Sequence, residues 1–71
     1  MTAARLEPLF LRRRDTAALL AVSESLVLQY ERRGWLPIVR LPGVRAVRHN
    51  REDVEAFAAR VRSGELRGED A

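Results

Sequence analysis

A chain of 71 residues builds one domain around a small core, which supplies only about 3–5 kcal/mol unless something staples it. There is no cysteine, which excludes disulfides and thiolate metal sites, and the single histidine, His49, is too little to build a metal centre or a catalytic site. The formal net charge is only +3, yet every basic residue is arginine, and Arg32, Arg33, Arg40, Arg45, Arg48 and Arg51 follow one another with no acid between them.

That asymmetry fits a basic face that meets a polyanion, with the acid-rich end from Glu52 onward turned away. The alternative is a solvated surface carrying a chance cluster. No apolar run approaches the ~20 residues that span a bilayer. The opening residues lack the apolar core of a signal peptide. The expected setting is cytoplasmic, with no membrane, no cofactor and no small-molecule ligand.

In chain order, residues 1–9 are expected to form a flexible arm carrying Arg5, residues 10–63 a folded domain, and residues 64–71 a polar tail. Ala17, Leu20 and Ala21 fall at helical spacing, flanked by Leu11 and Val22. The start of this helix is poorly capped, because Arg12, Arg13 and Arg14 stand where Ser, Thr or Asp is preferred. The turn around Ala21, Val22 and Ser23 is so short that the next helix must cross the first steeply. Ser23 is a good N-cap for that second helix, and Glu24 suits the positive end of its dipole. Leu26, Val27 and Tyr30 can form its apolar face. Arg32 and Arg33 suit its last turn, and Gly34 supplies a left-handed stop. The pattern predicts a helix over 24–33 with a polar, arginine-bearing face.

Residues 36–41 (LPIVRL) and 44–48 (VRAVR) read as two short strands joined at Pro42–Gly43. Pro-Gly suits a type II turn, whereas two-residue hairpins favour the primed types, so a longer loop is expected. Pro37 marks the first strand as an edge. Arg45, near the tip, is well shaped for the minor groove of duplex DNA. The alternative is an exposed edge charge that discourages strand-to-strand aggregation. Asn50 is a good cap for a final helix, with Asp53 three residues on in a capping-box-like pair. Val54, Phe57, Ala58 and Val61 follow as its amphipathic stripe, expected to pack the core, and Ser63–Gly64 ends it. His49 is expected to be a packed or hydrogen-bonded structural residue. Trp35 either closes the core or presents a face for stacking or a partner.

The run AVSESLVLQYERRGWLP resembles the start of the excisionase-like and MerR-like winged helix-turn-helix domains, through Leu19–Leu20, Ala21–Val22–Ser23, Tyr30–Glu31–Arg32, Gly34 and Leu36–Pro37. Val47–Arg48, followed by Arg51–Glu52–Asp53–Val54–Glu55–Ala56–Phe57, resembles the end of the excisionase-like pattern. Glu24, Leu26, Leu28 and Arg13 depart from it.

The resemblance implies a mainly α fold with a small β-hairpin: helix, helix, two-stranded wing, helix. It implies a sequence-specific duplex DNA-binding protein of the excisionase type, a recombination directionality or architectural factor, and alternatively a small transcriptional regulator. The partners would be double-stranded DNA, an integrase or recombinase or the transcription machinery, and further copies along DNA. A bacterial, phage or mobile-element origin would follow.

Such domains place the recognition helix in the major groove and a basic wing in the minor groove. The recognition-helix candidates are Ser23, Glu24, Ser25, Leu28, Gln29, Arg32 and Arg33. Gln pairs two-pronged with adenine and Arg with guanine, Glu accepts from the cytosine amino group, and Leu rests on a thymine methyl. The wing candidates are Arg40, Arg45 and Arg48. Arg12, Arg13 and Arg14 are candidate phosphate contacts, which give affinity and register but no sequence information. A reading from another class is a protein-interaction module without DNA binding, docking through Leu26, Leu28 and Trp35. No enzyme is expected.

Overall fold

Three helices end in the same way, and those endings shape the molecule. The computed structural model describes residues 7–66. In each helix a left-handed residue lets its own amide and the next one fold back onto the last free carbonyls. After α1 (Arg13–Leu20) the residue is Ala21, with φ 60°, and Val22 N–H reaches the Ala17 carbonyl at 2.9 Å. After α2 (Glu24–Arg32) it is Gly34, and Trp35 N–H reaches Tyr30 at 3.0 Å. After α3 (Arg51–Arg62) it is Gly64, and Glu65 N–H reaches Arg60 at 3.0 Å. Gly34 and Gly64 suit the conformation because they lack a Cβ. Ala21 adopts it against its own preference, which the tight connection from α1 to α2 demands.

The starts are equally defined. The Ser23 hydroxyl accepts the Leu26 N–H at 3.1 Å, as its sequence position predicts. Asn50 caps α3, but its carboxamide oxygen takes the Glu52 N–H at 2.8 Å, and Asp53 forms no side-chain hydrogen bond among the described residues. The first helix is better started than its three arginines suggest. The Asp15 carboxylate reaches back to accept the Arg12 backbone N–H at 3.0 Å and its Nε at 2.9 Å.

The sheet differs from expectation. Residues 36–41 and 44–48 do not form two strands. They meet in one antiparallel bridge, Val39 with Arg48, closed by bonds of 2.7 and 2.8 Å. The reason lies in the turn and the prolines. Leu41 to Val44 is a β-turn with a 3.0 Å closing bond and Gly43 at φ 78°, the type II geometry, whose twist splays the legs. Pro37 and Pro42 contribute no amide donors to extend the ladder. The two-stranded antiparallel sheet forms elsewhere, between β1 (Phe10–Leu11) and β2 (His49–Asn50), with Phe10 opposite Asn50 and Leu11 opposite His49. Successive strand residues aim their amides at opposite edges. The segment 48–50 therefore lies between Val39 on one side and β1 on the other.

Residues 7–9 and 64–66 make contacts with the helices. Residues 7–9 are tied to the start of α3: Leu9 accepts the Arg51 N–H at 2.9 Å, and Pro8 accepts the Arg51 Nε at 2.9 Å. At the other end, Gly64 turns the chain back so that Leu66 packs against the core and Glu65 meets Arg60 at 3.2 Å. Residues 1–6 with Arg5, and residues 67–71, lie outside the described residues.

The core consists of Leu11, Ala17, Val27, Leu36, Val54 and Phe57, with Leu20, Val22, Tyr30, Trp35 and Leu66 packed around it. Val54 and Phe57 are buried as the α3 stripe predicts, but Ala58 is half-buried and Val61 is exposed. Ala21 is exposed at the turn rather than on the apolar face. Tyr30 lies 4.8 Å from Phe57 and 6.0 Å from Trp35, centroid to centroid, so Trp35 closes one side of the core. Two polar residues, Thr16 and His49, are wholly buried.

Candidate functional site

Helical geometry sorts the candidates on α2. At about 100° per residue, Ser25, Leu28, Gln29 and Arg32 share one side of the helix, opposite the fully buried Val27. Ser25, Gln29 and Arg32 are exposed, and Leu28 is half-buried. Glu24 is exposed in the first turn. The Ser23 oxygen is committed to its cap bond. Arg33 lies just beyond the helix with its guanidinium 5.0 Å over the Trp35 ring, a cation–π distance. Leu26 and Leu28, two residues apart, project to widely separated sides, and Trp35 packs on Tyr30 and Phe57. Those three residues do not make one exposed apolar patch.

Acid placement sorts the arginines. Arg12 is held by Asp15 at 2.9 Å, and Arg13 by Glu31 through two bonds of 2.9 Å. Arg51 lies 3.8 Å from both Glu7 and Glu55, and Arg60 pairs with Glu65. Arg14, Arg32 and Arg45 are exposed and form no side-chain hydrogen bond or ion pair among the described residues. Arg40 makes one long contact, 3.5 Å, to the Arg45 carbonyl, and Arg48 donates to the Val47 carbonyl at 3.2 Å. Neither meets an acid. Of the three arginines expected to contact phosphate, Arg14 alone has an uncommitted side chain.

Beneath α2 lies a connected polar chain that the sequence reading did not assemble. The Glu31 carboxylate, with its side chain only 8% exposed, receives both Arg13 bonds on one side. On the other it meets His49 Nε2 at 2.6 Å. The His49 ring is fully buried, and its Nδ1 lies 2.7 Å from the Thr16 hydroxyl. The Nε2–H donates to the Glu31 carboxylate, and Nδ1 shares a hydrogen bond with the Thr16 hydroxyl. Burial pushes the Glu31 carboxyl up, but the bonds from Arg13 and His49 outweigh it and hold the group below its usual range. The bonds from the Arg12 side chain and backbone hold Asp15 low in the same way. His49 thus has the structural role its position suggests.

A signal for Glu31 was present. Glu31 follows Val27 by four residues and so shares its inward side. A carboxylate on a buried face requires partners. Thr16 carried no comparable signal.

A hydroxyl, an imidazole and a carboxylate in sequence have the order of a nucleophile relay. Here the Thr16 residue is 0% exposed, so no substrate carbonyl reaches its oxygen. No group of three or more His, Cys, Asp or Glu side chains among the described residues is placed to hold a metal ion. Among them, too, no helix is long and apolar enough to cross a membrane. No protein-family model matches the chain, and no curated protein matches it, so the residues themselves carry the functional argument.

Proposed function

We propose that the chain is a winged helix-turn-helix protein that binds duplex DNA, with α2 as its recognition helix and the 38–48 loop as its wing. One observation carries the reading. The outward side of α2 combines Ser25, Gln29 and Arg32, with Glu24 as the one acid at its N-terminal edge, while the arginines of the loop lack acidic partners among the described residues. These are the side-chain types that read base edges and meet phosphate. In this arrangement Gln29 pairs with adenine and Arg32 with guanine, Leu28 rests on a thymine methyl, and Glu24 accepts from cytosine. Arg45 enters the minor groove beside the site, where narrow A·T tracts concentrate negative potential. Arg14, Arg40 and Arg48 hold the backbone. The resemblance at both ends of the pattern, through Ala21–Val22–Ser23 and through Val47–Arg48, favours an excisionase-type architectural factor, with a small transcriptional regulator as the alternative.

The test is binding of the purified protein to genomic duplex fragments and to random DNA across a salt series. Neutralised phosphates each contribute about −0.9 to the log–log slope of affinity against salt. A steep slope together with a preferred fragment supports the reading. Absence of binding at low salt overturns it.

A further inference from the structure

We propose that Arg13, Glu31 and His49 are positioning residues that set the separation between the recognition helix and the wing, and that Arg13 is not a phosphate contact. The inference rests on the DNA-binding reading. Glu31 sits on the side of α2 away from Ser25, Gln29 and Arg32, so it touches no base itself. Its carboxylate is the junction of three elements. Through Arg13 it holds the first turn of α1 by two parallel bonds of 2.9 Å. Through His49 it holds β2 at 2.6 Å. His49 directly follows Arg48, whose backbone N–H and C=O both pair with Val39. Fixing His49 therefore fixes both legs of the wing where they leave the domain. The Thr16 bond to Nδ1 closes the loop back to α1 and locks the ring orientation.

Reading two grooves at once needs this rigidity. Side chains that contact bases must be held within about 0.5 Å of the productive geometry by the shell that supports them. In this small domain the wing has one bridge and no ladder to stiffen it. The buried chain supplies what the hairpin lacks. Both ends of the Arg13 fork are spent on Glu31, so its charge is already compensated before DNA arrives.

The experiment is a salt titration of wild type, Arg13→Gln and Arg13→Lys on the preferred duplex and on random DNA. Folded fraction is matched beforehand by circular dichroism. Footprinting of the minor groove beside the site reports the wing. For Arg13→Gln the expected result is about a tenfold loss on the preferred duplex, little change on random DNA, an unchanged salt slope and a weaker wing footprint. Arg13→Lys keeps the charge but cannot span both Glu31 oxygens, so it is expected to lose selectivity too. An equal loss on both DNAs, with the slope reduced by about 0.9 in Arg13→Gln and restored in Arg13→Lys, makes Arg13 a phosphate ligand and overturns the proposal. Unchanged selectivity in both variants overturns it as well. If Arg13→Gln does not fold, the selectivity of Arg13→Lys alone decides. Failure of the wild type to bind any duplex is a different outcome, and it removes the DNA-binding reading itself.

Discussion

Replacing Glu31 by alanine tests the buried chain most directly, because the structure supplies each part of the cost. The His49 Nε2–H would lose its acceptor inside a residue that is fully buried. Leaving such a donor unsatisfied costs about 1–3 kcal/mol. The Arg13 pair would also be lost. Its guanidinium is about one-third exposed, 35% by side chain, so solvent screening limits that part to about 1 kcal/mol or less. Together the variant is expected to lose about 1–4 kcal/mol, against about 3–5 kcal/mol for the whole domain. At roughly 4–8 °C per kcal/mol, the thermal midpoint should fall by about 5–30 °C. Urea unfolding followed by Trp35 fluorescence, with circular dichroism on heating, measures the loss. Glu31→Gln keeps the shape and one acceptor and should lose less. A loss below about 1 kcal/mol in Glu31→Ala would refute the claim that His49 depends on this carboxylate.

Ala21→Gly should raise stability by about 0.5–1 kcal/mol, since a left-handed alanine is strained by about 1–2 kcal/mol and glycine gives part of that back as unfolded-chain freedom; a lower thermal midpoint would contradict the strain. The folded state holds Asp15 and Glu31 ionised to lower pH than the unfolded chain does, so their stabilisation is complete near neutrality and is lost as pH falls below about 4. Urea midpoints measured from pH 7 to 3 should decline there, less steeply in Glu31→Gln, and a flat profile would count against both pairings. Gln29→Ala should cost about 1–3 kcal/mol on the best duplex and less on random DNA, and an equal loss on both would mean that Gln29 reads no base.

The helices were legible because their signals are local. Ser23, Gly34 and Asn50 each act within a few residues of where they stand, and each does what its position indicates. The stripe through Val54 and Phe57 is likewise a short-range pattern. The sheet was not legible, because β1 pairs with a segment nearly forty residues away, and two residues such as Phe10 and Leu11 carry no period of their own. Branched residues in 36–41 signalled a strand, but the partner they needed was turned aside at Pro42–Gly43. Asp15 as the cap of α1 was hidden by direction: the familiar search looks for a polar residue before the helix, whereas this one reaches back from inside it. The chain through Glu31 failed to show for a further reason. Thr16, Glu31 and His49 come from three elements, and only the fold brings Thr16 and Glu31 within 3 Å of the two ring nitrogens of His49.

On the DNA-binding reading, the same residue type serves both the fold and the ligand, and the acids decide which arginine does which. If Arg12, Arg13, Arg51 and Arg60 were free, each would add to affinity for any duplex, since phosphate contacts carry no sequence information. Random DNA would gain as much as the true site. Pairing them with Asp15, Glu31, Glu7, Glu55 and Glu65 withdraws that undirected contribution. Discrimination then rests on Gln29 and Arg32, whose contacts depend on base identity. Each internal ion pair therefore acts on selectivity as well as on stability. The effect is strongest for Arg13, whose partner Glu31 is buried and is also the junction that holds α1, α2 and β2 in place.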